Sequence, residues 1–152
     1  MNVMENGLIT GIEHKKEGLF RAVITDSWMI QFLNYMPRLS PDMIVTMQKH
    51  VLSDESFILL NGKAILYIAE GENFPNQIEG IVLYPEKLYN VPKGMWHSLI
   101  LSEDAKLLIV ENADTTPENS PKVELSGEQK KYIKTHAFCI LNGSKVSKYE
   151  TF

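Results

Sequence analysis

The 152-residue sequence contains one cysteine, Cys139, so it forms no disulfide within the chain and builds no thiolate zinc cluster. No apolar run is long enough to span a bilayer. The residues after the first methionine, Asn2-Val3-Met4-Glu5-Asn6, lack the basic start and apolar stretch of a secretion signal, so a cytoplasmic protein is the expectation. Basic residues are neither in excess nor clustered. Lys plus Arg number 15 against 19 Asp plus Glu, a net charge of −4, and neither nucleic acid nor an anionic membrane is an expected partner. Two motifs are also missing, the Gly-x-Ser-x-Gly nucleophile elbow and the phosphate-cradling Gly-x-x-x-x-Gly-Lys loop. Cys139 lies in the apolar run Ala137-Phe138-Cys139-Ile140-Leu141 and reads as a small core residue with no activating neighbour. Hydrolysis through a covalent intermediate and nucleotide hydrolysis are both set aside. There is no internal repeat and no low-complexity tract, and the length suits one domain.

What is present is a series of short apolar stretches, rich in β-branched and aromatic residues and interrupted by turn formers, which reads as a mostly β sandwich or barrel. The clearest signal is Ser56–Leu60, then Asn61-Gly62, then Ala64–Ile68, because Asn-Gly supplies the positive φ angles of a tight hairpin turn. Further strand candidates are Leu19–Thr25, Trp28–Asn34, Ile78–Tyr84, Leu88–Val91, His97–Leu101 and Lys106–Glu111. So many short strands in a small chain favour closure over a long open sheet with exposed edges. The stretch Ala113–Lys122, with two prolines, an asparagine and a serine, reads as a loop leaving the core. After it, Ser126 and Gln129 have the spacing of a capping box, which predicts a helix to about Thr135. The tail from His136 reads as one more strand-like run and an Asn142-Gly143 turn, free to pair with the N-terminal strands or with another subunit.

One segment carries two signals. Ser40-Pro41-Asp42 is a good helix start, and Met43, Met47 and Val51 recur at helical spacing. Against that, Met43–Met47 contains a β-branched run, and a strand places Thr46, Gln48 and His50 on one face.

Four side chains carry candidate chemistry: Gln48 and His50, two apart; Glu55, at the start of the next strand; and His97, just after Pro92-x-Gly94-x-Trp96. Residues two apart on a strand face the same way, and neighbouring strands bring Glu55 and His97 towards the same point. Imidazole nitrogens with a carboxylate oxygen suit a divalent first-row metal such as iron, manganese, nickel or zinc. Other conspicuous residues have plainer readings. Trp96 is core or a pocket wall, His14 is a solvated position, His136 complements a helix end, and Met36, Met43, Met47 and Met95 are packing.

The order of these residues resembles the cupin superfamily, small β-barrels with two metal-ligand motifs. The first motif reads G-x5-H-x-H-x(3,4)-E-x6-G, and Gln48-x-His50, Glu55 and Gly62 match its later part. The second reads G-x5-P-x-G-x2-H-x3-N, and Pro92-Lys93-Gly94-Met95-Trp96-His97 matches its middle. The chain departs from the pattern at four positions. Gln48 stands for the first histidine, Asp42 and Glu86 stand where glycines are expected, and Leu101 replaces the closing asparagine.

The resemblance implies a single cupin domain, a jelly-roll β-barrel with a short C-terminal helix. Its barrel core spans about residues 42–112, with extension strands within 1–38 and a loop, helix and tail over 113–152. It makes Met43–His50 a strand. It implies a metal site of His50, Glu55 and His97, with Gln48 as a weak neutral oxygen donor or a substrate-orienting group. It also implies a homodimer, for which the apolar face of Met43, Val45 and Met47 is the candidate surface. Two functions follow from it. One is a metalloenzyme of isomerase, epimerase, dioxygenase or lyase type acting on a small polar metabolite. The other is a non-catalytic barrel that binds a carbohydrate or organic acid without metal, and a barrel used only for assembly is a third possibility.

Overall fold

Strand alternation sets the architecture, because almost every strand carries apolar residues at every second position and those positions turn inwards. The computed structural model describes residues 2–5 and 9–143. Twelve strands are described: β1 (Asn2–Glu5), β2 (Ile9–Ile12), β3 (Gly18–Ile24), β4 (Trp28–Asn34), β5 (Thr46–Gln48), β6 (Glu55–Asn61), β7 (Ala64–Ala69), β8 (Glu79–Leu83), β9 (Leu88–Val91), β10 (Trp96–Leu101), β11 (Lys106–Asn112) and β12 (Lys122–Glu124). A helix, α1 (Gly127–Leu141), follows them. β1 and β2 form a hairpin. The rest form two five-stranded antiparallel sheets, ordered β3-β4-β11-β6-β9 and β12-β5-β10-β7-β8. The connections pass repeatedly from one sheet to the other, as in a jelly roll.

Between the sheets lies a core that includes Leu33, Phe57, Leu59, Leu66, Leu99, Leu107 and Ile109. The β6–β7 hairpin turns through Gly62, whose φ is +73°, and a Cβ there would lie 2.7 Å from the Ala105 backbone. That position therefore admits glycine alone. Glu86, at a position where the cupin pattern has glycine, also holds a positive φ of 62°. The turn keeps its left-handed geometry and accepts the strain of a side chain there.

A second core covers the outer face of the second sheet. Ile65 and Tyr67 of β7, Trp96 and Ile100 of β10, and Met47 of β5 pack under Ile133 and Ala137 of α1. The capping box forms, with the Ser126 hydroxyl accepting from the Gln129 N–H at 3.2 Å and the Gln129 side chain accepting from the Ser126 N–H at 3.0 Å.

The structure corrects several expectations. The helix does not stop near Thr135 but continues to Leu141, because Ala137 and its apolar neighbours follow Ile133 at helical spacing onto the sheet. The run 137–141 is therefore helical, Cys139 is a half-buried helix residue, and Asn142-Gly143 ends the helix, with Gly143 at φ +76°. Residues 144–152 of the expected tail lie outside the described residues. The segment Met43–His50 is neither a helix nor a full strand. A turn occupies 41–43 and only Thr46–Gln48 pairs, between β10 and β12. Met47 is 1% exposed beneath α1, whereas Met43 and Val45 are 54% and 51% exposed, so the three do not form one exposed face for a second copy. Nor does Ala113–Lys122 leave the core. It folds back so that Thr115 and Ser120 are buried, and Lys122 starts β12 on the edge of β5. No helix among the described residues is long and apolar enough to cross a membrane.

Candidate metal centre

Each of the three ligand-type residues sits at or just beyond a strand end, where the backbone is pinned by a neighbour. His50 follows β5, and its carbonyl accepts from the Gly94 N–H at 2.7 Å, which ties the two motif segments together. The N–H groups flanking it, of Lys49 and Val51, donate to the carbonyls of Pro121 and Asn119. Glu55 opens β6, and His97 is the second residue of β10. Inward-facing positions on β6 and β10 carry Glu55 and His97, and the segment after β5 carries His50, into one cavity of about 290 Å³ between the sheets. His50, Glu55 and His97 are 6%, 6% and 3% exposed, and their ligand atoms lie within 4.8 Å of one another.

The hydrogen bonds at the far side of each ring decide what these atoms can do. His97 Nδ1 lies 3.0 Å from the Met95 carbonyl, an acceptor, so that nitrogen carries the proton. His50 Nδ1 lies 2.7 Å from Ser120 Oγ. The Ser120 hydroxyl donates in turn to Asn119 Oδ1 at 3.3 Å, and Asn119 Oδ1 is fixed as an acceptor by the Thr116 N–H at 2.9 Å. Ser120 is therefore assigned as the acceptor and His50 Nδ1 as the donor. In the neutral rings both Nε2 atoms then carry lone pairs. These point at Glu55 Oε2, 3.0 Å from His50 and 2.8 Å from His97. His97 Nε2 has no hydrogen-bond partner among the described residues, despite that approach. Three electron-pair donors facing one another need either added protons or a cation.

Electrostatics say the same. Burial works to raise the Glu55 pKa, yet the two rings, when they approach Oε2 as protonated donors and positive charges, outweigh it and hold it at about 2. For His50 burial works against the charged ring, and Glu55 and Glu111 reverse that and raise its pKa. The donor set of two imidazoles and a carboxylate fits a divalent transition metal, so the buried His50, Glu55 and His97 can hold such an ion.

Gln48 lines the same cavity and pairs directly with His97 across β5 and β10. Of the other residues singled out in the sequence, Trp96 is core. It faces α1, and its indole N–H donates to the Gly71 carbonyl at 2.9 Å. His14 stacks on Phe20 at 4.9 Å between ring centroids. His136 lies inside α1 and meets the Tyr67 hydroxyl at 2.9 Å, so it packs against the sheet instead of complementing a helix end.

Three further polar groups beside the triad were not found from the sequence. Glu111 is directly opposite Glu55 across β11 and β6, and its Oε2 lies 3.6 Å from His50 Nε2. Two carboxylates side by side repel unless a proton or cation separates them, and burial, followed by the charge of Glu55, raises the Glu111 pKa. Gln31 of β4, 1% exposed, donates its amide N–H to Glu111 Oε1. Ser120 orients His50. The alternation Leu107, Ile109, Glu111 and Met29, Gln31, Leu33 held the signal for the first two, since it puts a polar residue in the inward register of each strand. Nothing local announced Ser120.

The inward triad, the strand-end positions of both motifs and the two crossed-over sheets decide the class of fold. The chain has the cupin fold. No family model and no curated protein matches the sequence, so the likeness to known proteins rests on structure. The barrel is similar to a Streptomyces Pac13 variant solved with uridine, at 12% identity and a TM-score of 0.51, covering 76% of this chain and 85% of that one. Pac13 is described as a nucleoside dehydratase. A second similar structure is BH2720 from Bacillus halodurans, at 12% identity and a TM-score of 0.51, covering 76% and 89% of the two chains. A third is the capsular polysaccharide assembling protein CapF from Staphylococcus aureus, at 14% identity and a TM-score of 0.51, covering 74% of this chain and 31% of that chain. These likenesses carry the fold alone.

Proposed function

We propose that this cupin is a metalloenzyme that moves a proton on a small polar metabolite, in the manner of an isomerase, epimerase or lyase. The observation that carries this reading is the convergence of two imidazole lone pairs on the Glu55 carboxylate, with a second buried carboxylate, Glu111, beside them. His50, Glu55 and His97 hold the ion, which is iron, manganese, nickel or zinc, and Gln48 stands beside His97 to coordinate weakly or orient substrate. The ion, when bound, supplies a Lewis acid for a carbonyl or enediol oxygen.

Glu111 does the proton work. Its Oε2 is buried without a hydrogen-bond partner among the described residues, and Gln31 fixes its other oxygen. A carboxylate whose pKa is raised by burial and a neighbouring charge is a stronger base than an exposed one, and the carboxyl group so formed can return the proton. This group favours proton-transfer chemistry over the dioxygenase class. That Pac13 has been solved with uridine supports a small-molecule occupant for a barrel of this kind.

A second reading is supported by the same distances. At 2.8 and 3.0 Å the triad is also at hydrogen-bond separation, so doubly protonated rings around Glu55 would serve a non-catalytic pocket for a carbohydrate or organic acid. Incubation of the metal-loaded protein with a panel of sugar acids and hydroxy acids in deuterium oxide separates the two. The enzyme reading expects deuterium in a carbon-bound position of at least one compound, lost in Glu111→Gln. Binding without any exchange or turnover would overturn it in favour of the pocket.

A further inference from the structure

The mouth of the cavity carries charge of one sign. Arg21 lies on the edge strand β3, Lys122 on the edge strand β12, and Arg38 in the turn Pro37–Leu39, and all three line the cavity. None forms an ion pair among the described residues, whose lysine and arginine ion pairs join Lys15 to Glu13, Lys130 to Glu124 and Lys134 to Asp42. The acidic residues lining the cavity are Glu55 and Glu111, both buried on its floor. In a chain of net charge −4, three unneutralised cations around one opening run against the overall charge.

Register places two of these cations one step from the inner polar groups. Arg21 pairs with Gln31 across β3 and β4, and Lys122 pairs with Gln48 across β12 and β5. Side chains of such direct pairs lie about 5 Å apart at Cβ. Further in, the polar atoms that lack partners are acceptors. Gln31 gives one amide N–H to Glu111 Oε1, and its own Oε1 and the Oε2 of Glu111 have no donor among the described residues. The cavity is thus cationic at its rim and accepting at its floor.

We infer that the occupant is a small hydroxylated anion. Its carboxylate or phosphate group docks on Arg21, Arg38 and Lys122, and its hydroxyl groups donate to Gln31 and Glu111. The guanidinium groups suit either anion through paired N–H donors. The cavity volume, at the small end for ligand pockets, limits the occupant to a compact molecule. The inference rests on the reading of this cavity as a small-molecule site and does not need the metal.

Titration calorimetry on the full chain tests it, in metal-loaded and chelator-treated forms. The probes are gluconate against sorbitol and glucose phosphate against glucose. The expected result is that at least one anion binds about tenfold or more tightly than its neutral partner, and that added salt erodes the difference. Which pair shows the preference tells carboxylate from phosphate. The double variant Arg21→Gln with Lys122→Gln, on exposed edge positions, should reduce the preference several-fold with metal content unchanged. Equal binding of neutral and charged partners, a preference undiminished in the double variant, or no binding of any probe overturns the inference. A protein that prefers anions but retains no metal counts against the metal reading alone. One that retains metal but shows no charge preference counts against this inference alone.

Discussion

The two faces of the second sheet make opposite use of the same strands. On β10, Leu99 and Leu101 join His97 in facing the barrel interior, while Trp96 and Ile100 face α1. On β5, Gln48 lines the cavity and Met47 lies beneath the helix. The helix-covered face is apolar, and its few polar atoms find partners within the chain, as Tyr67 and Trp96 do. The cavity face leaves His97 Nε2 buried without a hydrogen bond among the described residues, and the first sheet, across the cavity, adds Gln31 Oε1 and Glu111 Oε2. Unmet buried polar groups cost stability. Their position around the cavity sets it apart from the helix side as the candidate site.

That division is open to attack from either side. The largest expected effect is on the helix side. Ile133 is fully buried against the sheet, and Ile133→Ala should lower unfolding free energy by about 2–5 kcal/mol. Chemical denaturation measures this, and the folded variant should keep the metal affinity of the wild type. A large loss of affinity in the folded variant would show that the two faces are not separable. Next in size is Ser120→Ala, which frees the His50 ring from its orienting acceptor. Metal affinity should fall roughly 10- to 100-fold, with a much smaller change in the stability of the metal-free protein. An unchanged affinity would mean that the Ser120 contact does not set the His50 tautomer.

The smallest effect is a pH dependence on the helix side. Burial lowers the His136 pKa, and its neighbours are Tyr67 and Tyr132, with Glu79 near the latter. A histidine held neutral in the fold contributes stability above its unfolded pKa of roughly 6.5, and the contribution is lost as pH falls below that value towards the lowered folded pKa. The melting temperature of His136→Phe, compared with that of wild type, should therefore improve in relative terms as pH drops from neutral to about 5. A constant difference across that range would remove His136 from the account.

The sequence made the cavity side legible where chemistry constrains residue order. Both motifs, the Asn61-Gly62 turn and the positions of His50, Glu55 and His97 follow from spacing and the cupin resemblance. The departure at Glu86 was also visible, and the positive φ there explains why the pattern has glycine at that point. Partners supplied by tertiary pairing were hidden. Glu111 and Gln31 become site residues because β11 lies between β4 and β6, and Ser120 because a polar loop folds back over His50. The end of α1 was misread for a related reason. Ala137–Leu141 has an apolar, strand-like composition, and the face that Ile133 and Ala137 present to the sheet settles it as helix. Local propensity gave way to burial in each case.

The central claim is that His50, Glu55 and His97 form a metal centre on the cavity face. The most direct measurement is elemental analysis of the purified protein after reloading with iron, manganese, nickel or zinc and removal of free ion, run beside His97→Ala. The account expects up to one divalent transition metal per chain in the wild type and none in the variant. Wild-type protein that retains no metal after reloading, or a His97→Ala variant that retains as much as wild type, would contradict it.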